Sequence, residues 1–137
     1  MELRKLNGEL AVAGQINPRD VPELAAEGIR AIICKRPDGE EPGQPKFSEI
    51  ENAAAVNGIK IAYQPVIPAS ISDDDAATFG KLLEELPKPL LIFCRSGMRS
   101  TALWALSQAG KLPAKDIVQQ AAMAGFDLRP LLPRLAK

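Results

Sequence analysis

The chain holds 137 residues, 46% of them hydrophobic and 25% charged, the balance of one ordinary globular domain. Lys and Arg number 17 and Asp and Glu number 17, so no net field draws the chain to nucleic acid or to an anionic membrane. Histidine is absent and the only cysteines are Cys34 and Cys94, which excludes Ser-His-Asp triads, Cys-His dyads and His-ligated or all-cysteine zinc sites.

Short apolar runs alternate with helix-like segments along the chain. Glu9 to Ala13 reads as a strand ended by Gly14. Pro18-Arg19-Asp20 opens a helix that carries Val21, Leu24 and Ala25 and runs to Glu27, before Gly28. Ile29 to Cys34 is short and β-branched, as a buried strand should be. Lys35 to Pro45 carries three prolines and two glycines and is a loop. Phe47, Ile50, Ala54 and Ala55 line one helix face, which Asn57-Gly58 terminates. Ile59 to Tyr63 is the third strand, with a loop from Gln64 to Ile71. Ser72-Asp73-Asp74-Asp75 has the form of a capping box, opening a helix that buries Ala76, Phe79, Leu82, Leu83 and Leu86. Pro89 to Cys94 is the fourth and most apolar strand. Arg99 to Gln108 reads as a helix with Trp104 in the core, and Lys115 to Ala124 and Leu128 to Leu135 add two more. Strands spaced by helices imply βαβ units. The expected fold class is α/β: residues 1–137 as a single domain, with a mainly parallel four- to five-stranded sheet flanked by helices.

The chemistry lies in Cys94-Arg95-Ser96-Gly97-Met98-Arg99-Ser100. A cysteine ends an apolar strand, a turn containing one glycine follows, and an arginine begins a helix. In a parallel sheet the thiol then lies at the carboxyl edge, where such folds bind ligands. Backbone amides of the turn and the helix N-terminus form an anion cradle that favours a thiolate. Cys94 is the candidate nucleophile, and Arg99 is placed to add a guanidinium fork to a bound oxyanion. Arg95, Ser96, Gly97, Met98 and Ser100 are the candidate anion-binding positions.

LIFCRSGMRS resembles the active-site loop of single-domain rhodaneses, which carry persulfide on the cysteine. More of the chain is similar to the phosphatase-like domain of the beta-lactamase hydrolase-like proteins. The matching segments are Gly14-Gln15 followed by Pro18, Arg36-Pro37-Asp38-Gly39-Glu40, Gln44-Pro45, Pro65-Val66, Leu103-Trp104-Ala105-Leu106 and Ala124-Gly125-Phe126-Asp127-Leu128. The resemblance covers nearly the whole chain and implies a fold similar to the dual-specificity tyrosine phosphatases, with the cysteine strand near the sheet centre. It also implies sulfur-transfer chemistry and an association with a sulfide-oxidising partner enzyme.

Two chemistries fit one cradle. Tyrosine phosphatases place a histidine before the cysteine, where this chain has Phe93. Only four residues separate Cys94 from Arg99, one fewer than in those enzymes, whereas Ser100 does match their hydroxyl after the arginine. A phosphatase needs an acid for the leaving oxygen. The alternatives are Asp38 or one of Asp73, Asp74 and Asp75, which more naturally cap a helix. The expected reading is therefore a sulfurtransferase. It forms a Cys94 persulfide from a small anionic donor, thiosulfate or a low-molecular-weight persulfide, and passes the sulfur to a thiol acceptor. Arg36 is an accessory cation if its loop reaches the same edge. A phosphatase with a Cys94 thiophosphate is the alternative, and a non-catalytic anion- or persulfide-binding module is the third. Cys34 is either a buried spacer or a resolving thiol. No metal, cofactor, nucleic acid or membrane is expected. Two distant thiols and the lack of a signal-type apolar run point to the cytoplasm.

Overall fold

The computed structural model describes residues 2–136. Its sheet contains β1 (Arg4–Lys5), β2 (Leu10–Ala13), β3 (Ala31–Cys34), β4 (Lys60–Tyr63) and β5 (Leu90–Phe93), in the spatial order β1-β2-β5-β3-β4. β5 pairs in parallel with both β2 and β3, so the cysteine strand is the central one. Every residue of β2, β3 and β5 is buried. Strands covered on both faces need apolar side chains at every position, which is why these runs do not alternate with polar residues.

The pleat sends alternate side chains to two cores. Val12, Ile33 and Ile92 face one layer with Phe79, Leu103, Trp104 and Ile117. That layer contains α3 (Asp73–Glu85), α4 (Met98–Gln108), α5 (Ala114–Met123) and α6 (Leu132–Leu135). Ala13, Ile32, Cys34 and Phe93 face the other, with Val21, Leu24, Ile50 and Ala54. These last four belong to α1 (Val21–Ala26) and α2 (Phe47–Val56). The α/β class, the four parallel strands and the core position of Trp104 agree with the sequence reading.

Some elements differ from it. β1 pairs antiparallel with β2; its two side chains are exposed and carry no apolar signal. The first predicted helix is a 3-10 turn, Pro18–Asp20, followed by the short α1. Leu128 to Leu135 is likewise broken into a 3-10 turn at Arg129–Leu131 and α6, because Pro130 and Pro133 each withhold a backbone donor. Ala55, predicted on the buried face of α2, is exposed. The capping box of α3 forms as expected. Asp75 N–H donates to Ser72 Oγ at 3.1 Å and Ser72 N–H to Asp75 Oδ2 at 3.0 Å. Among the described residues no helix is long and apolar enough to cross a membrane.

Candidate active site at the carboxyl edge of the sheet

Cys94 immediately follows β5 and is 1% exposed. Its N–H donates to the Ala13 carbonyl at 3.3 Å, continuing the β2 pairing by one residue. The chain then turns, and the Gly97 N–H donates to Cys94 Sγ at 3.1 Å. The Gly97 carbonyl accepts from the Thr101 N–H at 3.0 Å and from Thr101 Oγ1 at 2.8 Å, which starts α4. Two glycines permit this path. Gly97 has φ +94°, and a Cβ there would lie 2.9 Å from Phe126 Cζ. At Gly14 a Cβ would lie 2.9 Å from the Arg95 carbonyl oxygen; beside it, the Gln15 N–H donates to that oxygen at 3.2 Å. Phe126 is itself covered by Arg4, whose guanidinium carbon lies 5.8 Å from the ring centroid.

Arg99 sits in the first turn of α4 and is 7% exposed. Its Nη1 donates to Glu40 Oε2 at 2.9 Å and to the Val66 carbonyl at 3.0 Å, and its Nη2 donates to Glu40 Oε1 at 3.0 Å. Glu40 also takes Arg36 Nε at 2.8 Å. Arg36 spends its other nitrogens on Gln15 Oε1 at 3.0 Å and Glu41 Oε1 at 2.7 Å. The Lys35–Pro45 loop therefore does reach the cysteine edge. Arg36, the expected accessory cation, is 2% exposed there and paired with Glu40 and Glu41. The hydrogen bonds from Arg99, and then those from Arg36, hold the Glu40 carboxyl below the usual carboxylate range despite its partial burial. Glu40 and Glu41 were not singled out from sequence. Their signal was an acidic pair in a loop that also carries Arg36.

The remaining expected positions divide clearly. Arg95 and Ser96 are exposed beside the turn, and Arg95 Nη2 lies 3.6 Å from Glu41 Oε2. Met98 is 42% exposed. Ser100 is fully buried, and its Oγ has no hydrogen-bond partner among the described residues. Asp38, a candidate acid, accepts from the Phe47 N–H at 2.8 Å through Oδ1, at the start of α2. Asp73, another candidate acid, pairs with Arg134 on the surface at 3.0 Å. Cys34 is buried with its thiol donating to the Arg36 carbonyl at 3.3 Å, and burial pushes it up to about 11. Its strand partner is Phe93, on the sheet face away from α3 and α4. It fits a buried spacer rather than a resolving thiol.

Sequence reasoning missed Lys35, which is fully buried. Its Nζ donates to Gln64 Oε1 and lies 4.0 Å from the Phe79 ring centroid. Burial lowers its value to about 7. Gln64 passes the link on, donating from Nε2 to the Asp75 carbonyl at 3.0 Å. A cavity of about 410 Å³ opens beside the turn, with Arg95, Ser96 and Arg99 in its wall. A second, of about 450 Å³, lies at the opposite edge between Glu9, Leu10, Ile29 and Pro89, with no cysteine in its wall.

The family model for the beta-lactamase hydrolase-like protein, phosphatase-like domain matches residues 2–111. The chain belongs to this family. The beta-lactamase hydrolase-like proteins of Agrobacterium fabrum and of Xylella fastidiosa strain Temecula1 are each 35% identical to it over 130 residues. The match takes in 93% of this chain and 30% of each relative, so the phosphatase-like domain spans under a third of those proteins. Among solved structures, a candidate phosphatase from Neisseria meningitidis superposes with a TM-score of 0.89 at 34% identity, covering 98% of this chain and 96% of that one. Tk-PTP in its active form superposes with a TM-score of 0.75 at 17% identity, covering 97% and 92%; at that identity the likeness is one of fold. The phosphatase-like fold implied by the sequence motifs is thus the fold of this domain.

Proposed function

We propose that this phosphatase-like domain is a cysteine-dependent phosphatase. The observation that carries the reading is the Gly97 N–H aimed at Cys94 Sγ at 3.1 Å, at the mouth of a helix that holds Arg99 in its first turn. That amide sets a donor on the sulfur that would make the attack, beside the first turn of the helix that carries Arg99. Cys94 thiolate attacks phosphorus, the S–P bond forms, and the P–O bond breaks with its electron pair leaving on oxygen. The amides of the turn and the Arg99 guanidinium compensate the charge on the phosphoryl oxygens. Water then attacks phosphorus, the S–P pair returns to sulfur, and a proton passes to solvent with release of inorganic phosphate. The similarity to a candidate phosphatase across nearly the whole of both chains supports the same reading. The test is hydrolysis of 4-nitrophenyl phosphate with Cys94→Ser as control. Vanadate-sensitive turnover by the wild-type protein alone is expected, and equal rates in both proteins would refute the assignment.

One observation favours a second reading, sulfur transfer. The turn holds four residues between Cys94 and Arg99, a tighter ring of amides that suits a single terminal sulfur. In that chemistry Cys94 thiolate attacks the outer sulfur of thiosulfate, the S–S bond of the donor breaks, and sulfite leaves with the pair. A thiol acceptor then removes the outer sulfur. A gain of about one sulfur mass on Cys94, reversed by cyanide and absent in Cys94→Ser, would establish it.

A further inference from the structure

The cavity beside the turn has walls that a bare anion does not need. Arg95, Ser96 and Arg99 form its cationic and polar end, and apolar side chains, Ile71, Ala102 and Leu131 among them, form most of the rest. Its volume of about 410 Å³ is that of a small-molecule site, where apolar walls hold the body of a ligand and a few polar groups orient it. Met98 is exposed although its neighbours Gly97 and Arg99 are buried. The anion cradle and the apolar chamber share residues of the same helical turn. The turn that follows Cys94 therefore has an apolar enclosure beside it.

The carboxylates that the structure places against this chamber and the Cys94–Arg99 turn are held by other donors. Asp127 is the one carboxylate among the residues of its wall, and Arg129 grips both of its oxygens, at 2.9 and 2.8 Å. Glu40 is bound by Arg99 and Arg36, Asp38 caps α2, and Asp73 pairs with Arg134. A leaving oxygen here keeps its electron pair without receiving a carboxyl proton, which restricts the chemistry to groups that are stable as anions.

We propose that the substrate is a phosphate carried on an acidic oxygen of an apolar body, an activated aryl or acyl phosphate rather than phosphotyrosine or phosphoserine, with that body seated in this chamber. The proposal rests on the phosphatase reading and adds the leaving group to it.

The experiment measures kcat/KM for aryl phosphates whose parent phenols extend up to the acidity of tyrosine, about 10, together with acetyl phosphate, which has almost no apolar body. A loss approaching tenfold for each unit of leaving-group basicity is expected, with the acidic aryl ester preferred over acetyl phosphate. Ala102→Phe fills the chamber from α4, and the solvent-facing Met98→Ala opens it without threatening the fold. Each should lower the ratio of the aryl rate to the acetyl phosphate rate, Ala102→Phe by about tenfold or more. A flat dependence on leaving-group basicity reveals a proton donor and overturns the proposal. An unchanged rate ratio in both variants also overturns it, while acetyl phosphate turnover keeps the phosphatase reading. Turnover of none of these phosphates defeats both.

Discussion

Glu40 and Arg99 lie 59 positions apart in the chain and meet edge to edge, with Oε2 on Nη1 at 2.9 Å and Oε1 on Nη2 at 3.0 Å. Two parallel bonds fix the plane of the guanidinium as well as its position. Arg36 completes the arrangement, its Nε donating to the same Oε1 at 2.8 Å. The expected fork toward an oxyanion is thus turned toward Glu40, which leaves the Nε–H and one Nη2–H of Arg99 outside this grip among the described residues. Glu40 is a positioning residue in the phosphatase reading, because it acts through Arg99.

Glu40→Gln keeps the shape of the carboxylate and removes its charge. We expect kcat on 4-nitrophenyl phosphate to fall about tenfold, the effect of some 1.4 kcal/mol of lost transition-state stabilisation. KM should not rise, because deleting a negative charge beside the cradle favours an anionic substrate. A raised KM with unchanged kcat would assign Arg99 to ground-state binding instead.

Acid should loosen the same grip. The Glu40 carboxyl sits below its usual value of 4.5, chiefly through Arg99. Its stabilising contribution is therefore complete above about that pH and is lost as the pH falls through the lower folded value. Urea unfolding at pH 4 and below, compared between wild type and Glu40→Gln, should show a shallower acid loss in the variant.

Lys35 predicts a change at the alkaline end. Its folded value of about 7 lies below the ordinary 10.5, so between those limits the unfolded chain binds a proton that the folded chain does not. Stability should rise with pH across that window. Cys34, raised from 9.0 to about 11 by burial, opposes the rise above about pH 9, because there the folded chain retains the extra proton. The net gain falls between about pH 7 and 9 and is on the order of 2 kcal/mol. Lys35→Met should flatten it in chemical denaturation, and an unaltered slope would place the effect elsewhere.

Gly97→Ala tests the cradle itself. A β-carbon at φ +94° would lie 2.9 Å from Phe126 Cζ, so either the turn or the ring must move. The conformational strain alone is about 1–3 kcal/mol, and the amide aimed at Cys94 Sγ should be displaced. Both melting temperature and phosphatase rate are expected to fall, whereas a lower melting temperature with an unchanged rate would separate the amide from the chemistry.

Ser100 offers the opposite signature. A buried hydroxyl without a partner costs about 1–3 kcal/mol, so Ser100→Ala should leave stability unchanged or raise it. In the phosphatase reading a hydroxyl next to Arg99 finds its partner during turnover, and the rate should drop. Rapid-quench measurement of phosphate release would show this, and an unaltered rate in Ser100→Ala would remove the hydroxyl from the mechanism.

Much of the architecture was legible because its signals are local. Runs such as Ile29 to Cys34 and Pro89 to Cys94 have the length and β-branched or apolar content of buried strands, and Ser72 with Asp75 specifies a helix start by hydrogen bonds within four residues. The strand-turn-helix of Cys94 to Arg99 was legible for the same reason, since Gly97 is the residue that such a turn requires. β1 was not, because a two-residue edge strand with exposed side chains is defined by its neighbour Val12 rather than by its own pattern.

The sequence by itself determined an α/β fold and a cysteine at the end of an apolar strand, followed by a glycine-containing turn and an arginine at the start of a helix. Only the tertiary structure decided what surrounds the cradle: that Glu40 takes the Arg99 fork, that Arg36 and Asp38 are spent on structure, and that Lys35 is buried beside Phe79. Charged side chains in a loop read as solvated until the loop is folded over the sheet. Which carboxylate meets which guanidinium is then set by the desolvation and pairing that this packing imposes, over separations that no local pattern encodes.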